Sequence, residues 1–431
     1  MQKLFRLTLA AITLALGACA TTMPGGGERA QRPEDVGLSS ERLQRLTARM
    51  QDGIARGEYP GAVLMIGRHG KVAYTQTFGL LNPETGTPMR EDAIFRIASM
   101  TKPFASLAVM MLSEEGKLSI VDRVDKYLPE LKDMKVAVIK PGADGKPAMA
   151  LEAQKRPMTV QDLLRHTSGL PSGSAGANPV KQMYFDARIG NRNDTSVAYL
   201  AKLAKMPLLF QPGTTWEYGA SVDVLGIIVE RVSGMPLDQF IAERITGPLK
   251  LADTGFAAPA AHANRGARPQ REGPKNVVPN TALVTDVHTF KSGGGGMIST
   301  AADYARFCQF LLNRGELDGV RLVSPKTIEL MTSNHLPPGT PIGPDMGRFE
   351  ALAPSADMGQ GFGLGFAVRT DAGRNPLPGS VGDYYWGGAQ GTYFWIDPEE
   401  ELYVVFMMQS PAARLSYRFL LRQMVYQAMI K

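Results

Sequence analysis

The sequence predicts an α/β (α+β) fold in which one antiparallel sheet, built from both chain ends and flanked by helices, carries an inserted, mostly helical domain. Two observations predict it. Strand-like apolar runs lie near the two ends, at 62–78 and 364–407, whereas the stretch from roughly 120 to 290 is dominated by helical periodicity broken by Pro/Gly-rich loops. At 431 residues, 44% hydrophobic and 20% charged, the chain has ordinary globular composition and the length for a core shared between two parts.

The first segment reads as a leader. Lys3 and Arg6 precede an apolar stretch from Leu7 to Leu16 and the small residues Gly17 and Ala18, so residues 1–18 look like a secretory signal peptide too short to span a membrane. Leu16-Gly17-Ala18-Cys19 resembles the bacterial lipobox, which implies a lipid on Cys19. Ala20 in the next position resembles the pattern directed to the outer membrane of a Gram-negative host. The expected location is therefore the cell envelope, lipid-anchored and facing the periplasm. Residues 19–36, rich in Gly, Thr, Pro and Arg, are expected to be a flexible tether.

The folded chain is expected from residue 37. Ser39 or Ser40 caps a helix whose Leu43, Leu46, Met50 and Ile54 share one face. Residues 62–66 and 72–78, joined by a turn at His69 and Gly70, form a hairpin. Residues 94–98 then lead into a long apolar helix from Ser99 to Leu112. Residues 37–98 and 292–431 make the sheet domain, and 99–291 the helical one. Within the latter, helices are expected at 160–165, 197–205 and 222–232, with loops at 138–157 and 256–278. After the glycines at 293–296 come a helix over 301–314, strands at 364–368, 392–396 and 402–407, and a terminal amphipathic helix over 415–430.

Several function classes are disfavoured. The formal charge of +6 includes Lys3 and Arg6 of the leader, and the remaining basic residues are interleaved with acidic ones, so no nucleic-acid partner is expected. His69, His166, His262, His288 and His335 are scattered without metal-ligand spacing, so no metal is expected. With Cys19 acylated, Cys308 has no disulfide partner and reads as a buried small hydrophobe.

The chemistry centres on Ser99-Met100-Thr101-Lys102, an S-x-x-K at the expected helix start. Three residues apart on a helix means one face, so the amine can reach the hydroxyl. Serine is a poor nucleophile at neutral pH, and a neutral lysine beside it can take its proton during attack. Tyr218, after the Pro/Gly turn at 212–213, supplies a phenol for a second proton transfer. Trp386-Gly387-Gly388-Ala389 stands ahead of a C-terminal strand, where glycines allow close backbone approach and a following N–H can pair with that of Ser99 as an oxyanion hole. No G-x-S-x-G elbow is present, and the glycines at 293–296 lack the Lys-Ser/Thr of a phosphate loop.

Phe95-Arg96-Ile97-Ala98-Ser99-Met100-Thr101-Lys102-Pro103, Leu164-Arg165-His166-Thr167-Ser168-Gly169-Leu170, Tyr218, Gly293 to Met297 and Trp386-Gly387-Gly388 resemble, in order and spacing, the class C β-lactamase-like (penicillin-binding-protein-like) superfamily, and within it most of all the family VIII carboxylesterases. The resemblance implies a β-lactamase/transpeptidase-like fold with the site between its two parts. It also implies Ser99 as nucleophile, Lys102 and Tyr218 as acid/base pair, and the backbone N–H groups of Ser99 and Ala389 as oxyanion hole. His166, Arg96 and Gly169 read as structural. In β-lactamases the tyrosine motif is Y-x-N and the strand motif begins with Lys; here Ala220 and Trp386 stand in those places. Trp386, Gly387 and Gly388 thus line a neutral, partly apolar substrate site. The expected activity is cofactor-free cleavage of small-molecule carboxylic esters through an acyl-enzyme on Ser99. The alternatives are a β-lactamase or D-amino-acid-specific peptidase, and an idle envelope binding or assembly protein.

Overall fold

Strands β1 (Gly61–Arg68), β2 (Lys71–Asn82) and β3 (Thr87–Pro88) come from the N-terminal end, and β4 (Gln360–Phe362), β5 (Ala367–Arg369), β6 (Tyr384–Gly387), β7 (Tyr393–Asp397) and β8 (Leu402–Met408) from the C-terminal end. They form one antiparallel sheet in the order β4-β5-β6-β7-β8-β1-β2-β3. The computed structural model describes residues 27–141, 147–173, 178–273, 277–278 and 281–431. The leader, Cys19 and the first part of the expected tether lie outside the described residues. The two chain ends meet along β1 and β8, with Ala62 opposite Met408 and Arg68 opposite Leu402. Both strands are buried along their whole length, as their continuous apolar character requires of a sheet covered on both faces.

Helix α1 (Ser40–Ala55) is capped by the Ser39 hydroxyl, which accepts from the Arg42 N–H, and buries Leu43, Leu46 and Met50. Helix α2 (Lys102–Glu114) is buried from Lys102 through Leu112 and packs against α3 (Ser221–Ser233). A helix apolar all round belongs in a core, and α2 is that central element. Helices α4 (Ala301–Leu312) and α5 (Arg414–Tyr426) flank the sheet. Along β7, Phe394 meets Tyr304 of α4 with ring centroids 5.0 Å apart, whereas Trp395 lies under Arg422 of α5, 4.8 Å from guanidinium to ring centroid. Successive strand residues point to opposite faces, so the two helices cover opposite sides.

The sequence expectations need five corrections. Residues 27–36 do not form a free tether: the Ala30 N–H donates to Val72 O and the Val72 N–H to Glu28 O along β2, and a 3-10 turn at Pro33–Val36 buries Val36. The stretch read as a loop at 138–157 contains a two-stranded ribbon, Val136–Pro141 with Pro147–Glu152, in which Ile139 opposes Met149. Of the strand expected at 364–368 only residues 367 and 368 lie in one, β5, because Gly363 and Phe366 close a turn and the Leu364 N–H donates to Met331 O. Trp386 and Gly387 lie within a strand, β6, rather than ahead of one. Finally, Ser99 sits in a 3-10 turn, Ala98–Thr101, and the α-helix begins only at Lys102, with Pro103 in its first turn where a missing N–H costs nothing.

A buried ionic cluster fastens α5 to the sheet. Asp383 accepts from Arg369 at 2.9 Å and from Arg422 at 2.8 and 3.2 Å, and Arg422 Nε donates to the Tyr393 hydroxyl at 3.1 Å. The Asp383 carboxylate holds the Arg422 guanidinium pKa well above its ordinary value, against the opposing effect of burial. Removing one partner from such a cluster leaves buried charge uncompensated. Asp383→Asn is expected to lower unfolding stability by about 3–5 kcal/mol in denaturant titration.

Candidate active site

The nucleophile candidate is placed by a backbone irregularity. Ala98 takes a left-handed conformation, φ +44°, at the junction of the short strand Phe95–Arg96 and the Ser99 turn. That strand pairs with Ile298–Ser299, so the residues before Ser99 and those after the glycine run are tied together. Non-glycine residues are uncommon in this region, and such conformations concentrate at functional sites.

Lys102 lies one turn on, only 4% exposed. Its Nζ is 3.3 Å from Ser99 Oγ, donates to Gly294 O at 2.6 Å, and sits 4.5 Å from the centroid of the Tyr218 ring. The glycine run is held in turn by Asp223 in the first turn of α3, whose carboxylate accepts from the Gly294 N–H at 2.9 Å and from Ser292 Oγ at 2.6 Å. The run is thus a backbone bend beside the site that supplies an acceptor for the lysine. A backbone acceptor carries no side-chain signature, and the sequence reading did not find this one.

Tyr218 accepts a hydrogen bond from the Trp386 indole N–H at 3.1 Å. Its ring packs against His166, Trp216 and Phe349, with centroids 4.8, 6.1 and 5.7 Å away. The preceding residue, Glu217, is fully buried with a carboxylate oxygen 2.8 Å from Lys181 Nζ, which anchors the tyrosine-bearing turn. Trp386 therefore does more than wall the pocket: it fixes the phenol oxygen. His166 is fully buried with φ +59°. Ser168 and Ser221 hydroxyls, 2.8 Å apart, link the loop that carries it to the start of α3.

Ser99, Tyr218, Trp386, Gly387, Gly388 and Ala389 all line one cavity of about 160 Å³, completed by Phe349, Leu352, Tyr385, Tyr393, Arg414 and Arg418. Lys102 is not part of this lining but touches Ser99 and Tyr218 from behind it, and Cys19 lies outside the described residues. The backbones before Ser99 and after β6 approach closely here: a Cβ on Gly388 would stand 2.5 Å from Ile97 O, two residues before Ser99. The Ala389 N–H donates to no acceptor among the described residues. Arg414 and Arg418 were not singled out in the sequence, where α5 reads as an ordinary amphipathic helix. Both are engaged by backbone, Arg414 by Pro411 O at 2.6 Å and Arg418 by Gly388 O at 2.6 Å. No group of His, Cys, Asp and Glu suited to a metal occurs among the described residues.

The chain resembles known families, sequences and solved structures. The family model described as Beta-lactamase matches residues 46–424. An uncharacterized protein of Mycobacterium tuberculosis is 37% identical over 367 residues, covering 82% of this chain and 86% of its own. Esterase EstB of Burkholderia gladioli is 30% identical over 378 residues, with the same shares of 82% and 86%. Among solved structures, EstCE1, a hydrolase with promiscuous acyltransferase activity, superimposes with a TM-score of 0.73 at 26% identity over 89% of this chain and 98% of its own. A family match across nearly the whole folded chain makes this protein a member of the Beta-lactamase family.

Proposed function

We propose that the protein is a serine hydrolase that cleaves small carboxylic esters through an acyl-enzyme on Ser99. The observation that carries the reading is the placement of Lys102 Nζ, 3.3 Å from Ser99 Oγ and 4.5 Å from the Tyr218 ring centroid. Ser99 Oγ attacks the ester carbonyl while its proton passes to Lys102. The carbonyl π electrons move onto oxygen, which the Ser99 and Ala389 N–H groups receive. Collapse of this intermediate breaks the bond to the alkoxide, which leaves with a proton from the Lys102–Tyr218 pair. Water then adds to the acyl-enzyme, giving its proton to the same pair, and Ser99 departs as the hydroxyl.

The cavity supports esters of modest size. Its volume of about 160 Å³ is close to that of an apolar protein cavity of about 150 Å³ that accepts benzene, so it suits short acyl groups better than long ones. The Phe349, Leu352 and Trp386 walls are apolar, in keeping with a neutral group. EstB and EstCE1, an esterase and a hydrolase by their descriptions, support the same reaction class. Within this reading, a lipid on Cys19 holds the enzyme at the outer membrane facing the periplasm; its support is the Leu16-Gly17-Ala18-Cys19 motif.

Initial rates on p-nitrophenyl esters from acetate to octanoate, with nitrocefin alongside, are expected to peak at short chains and to show little nitrocefin turnover. Ser99→Ala is expected to abolish ester cleavage with an unchanged far-UV spectrum, and persistent cleavage would exclude Ser99 as the nucleophile. His166 is the alternative base. Complete burial, with a lesser effect of the nearby Lys102, holds its imidazole pKa well below the ordinary value. Neither ring nitrogen has a hydrogen-bond partner among the described residues. His166→Gln is accordingly expected to leave the pH positions of the kcat/KM limbs where they are; loss of the acid limb would transfer the base role to His166.

A further inference from the structure

Arg418 is buried at the active site with no carboxylate partner among the described residues. It is 6% exposed, lines the cavity, and lies with its guanidinium 5.4 Å from the Tyr393 ring centroid. The titratable groups that act on it are Tyr393, Arg414, Tyr218 and Tyr385, and burial pulls it down to about 10, which leaves it charged at neutral pH. A buried cation with no counter-ion is costly, and among the described residues the hydrogen bonds of this one go to carbonyl oxygens: Nη2 donates to Gly388 O at 2.6 Å and to Thr392 O at 3.2 Å.

The first of those carbonyls belongs to the peptide unit whose N–H is that of Ala389. A trans peptide is planar, with its C=O and N–H pointing in opposite directions, so gripping the oxygen from behind aims the N–H forward. A charged donor on the oxygen also polarises the unit and strengthens the N–H as a donor. We propose that Arg418 is a positioning residue for the oxyanion hole: it holds the Gly388 carbonyl and thereby aims and polarises the Ala389 N–H toward the substrate's carbonyl oxygen.

Gly387 is the second half of the device. A Cβ at 387 would stand 2.5 Å from both Cζ and Nη2 of Arg418, so only glycine lets the guanidinium reach across β6 to the next carbonyl. Gly387 therefore makes room for Arg418 as well as lining the cavity.

The inference rests on the proposed ester hydrolysis, and its test separates the two. Arg418→Gln and Gly387→Ala are compared with wild type on neutral short-chain p-nitrophenyl esters and on an ester carrying a free carboxylate. The acyl-enzyme formed from a slowly deacylating cinnamoyl ester is examined by infrared difference spectroscopy. Both variants are expected to lose about 10- to 100-fold in kcat on neutral esters with little change in KM, because they weaken a donor rather than delete it. In both, the acyl carbonyl stretch is expected at higher frequency, the signature of a less polarised carbonyl. Gly387→Ala keeps the charge in place, so it decides the matter even where Arg418→Gln does not fold. A normal acyl-enzyme whose band is unmoved overturns the inference alone. So does a loss confined to KM for the carboxylate-bearing ester, which would make Arg418 a substrate-anion contact. A wild type that forms no acyl-enzyme on Ser99 overturns the hydrolase reading and this inference with it.

Discussion

The short contact between Lys102 Nζ and Gly294 O, 2.6 Å, joins parts of the chain that are 192 residues apart, and the site is organised around it. Lys102 belongs to the central helix α2, whereas Gly294 stands where the chain returns from the helical part to the sheet. A lysine this deeply buried needs polar partners. It finds them in one carbonyl, one hydroxyl and the face of one aromatic ring. Two of those partners, the Ser99 hydroxyl and Tyr218, are groups the proposed reaction uses, so satisfying the buried amine and assembling the proton-transfer pair are one structural requirement.

Around that centre, each component is held by a second element of the fold. Asp223 of α3 orients the Gly294 peptide, and Trp386 of β6 fixes the Tyr218 hydroxyl. Arg418 of α5 grips the Gly388 carbonyl. The Asp383 cluster with Arg369 and Arg422 pins the same helix to the same sheet a turn further on. The sheet is thus a rigid support for one wall of the site and the helical part for the other, which is the arrangement that keeps donors aimed before substrate arrives.

What the sequence made legible was local. Ser99 and Lys102 are three residues apart, so their meeting needs only a helical turn, and the 3-10 form of that turn changed the geometry without separating them. The long apolar strands β1 and β8 were legible for the same reason, since apolar runs of that length have few other uses. The ribbon at 136–152 was not: it exposes Ile139, Met149 and Leu151, and so carries no alternation of a half-buried strand. Residues 27–36 dock through backbone bonds to Val72, which composition does not record. Arg418 was missed because an arginine on an amphipathic helix ordinarily faces water, and its partner is a carbonyl 30 residues away. Trp386 was found by family resemblance, but its bond to Tyr218 spans 168 residues and needed coordinates.

The central claim is that Ser99 becomes covalently acylated during turnover. The most direct measurement is an acid quench of the enzyme in the steady state with p-nitrophenyl butyrate, followed by intact-mass and peptide-level mass spectrometry. One butyryl group on the peptide containing Ser99, lost again when substrate is exhausted, is the predicted result. Ester cleavage with no acylated species, or with the acyl group on another residue, would contradict it.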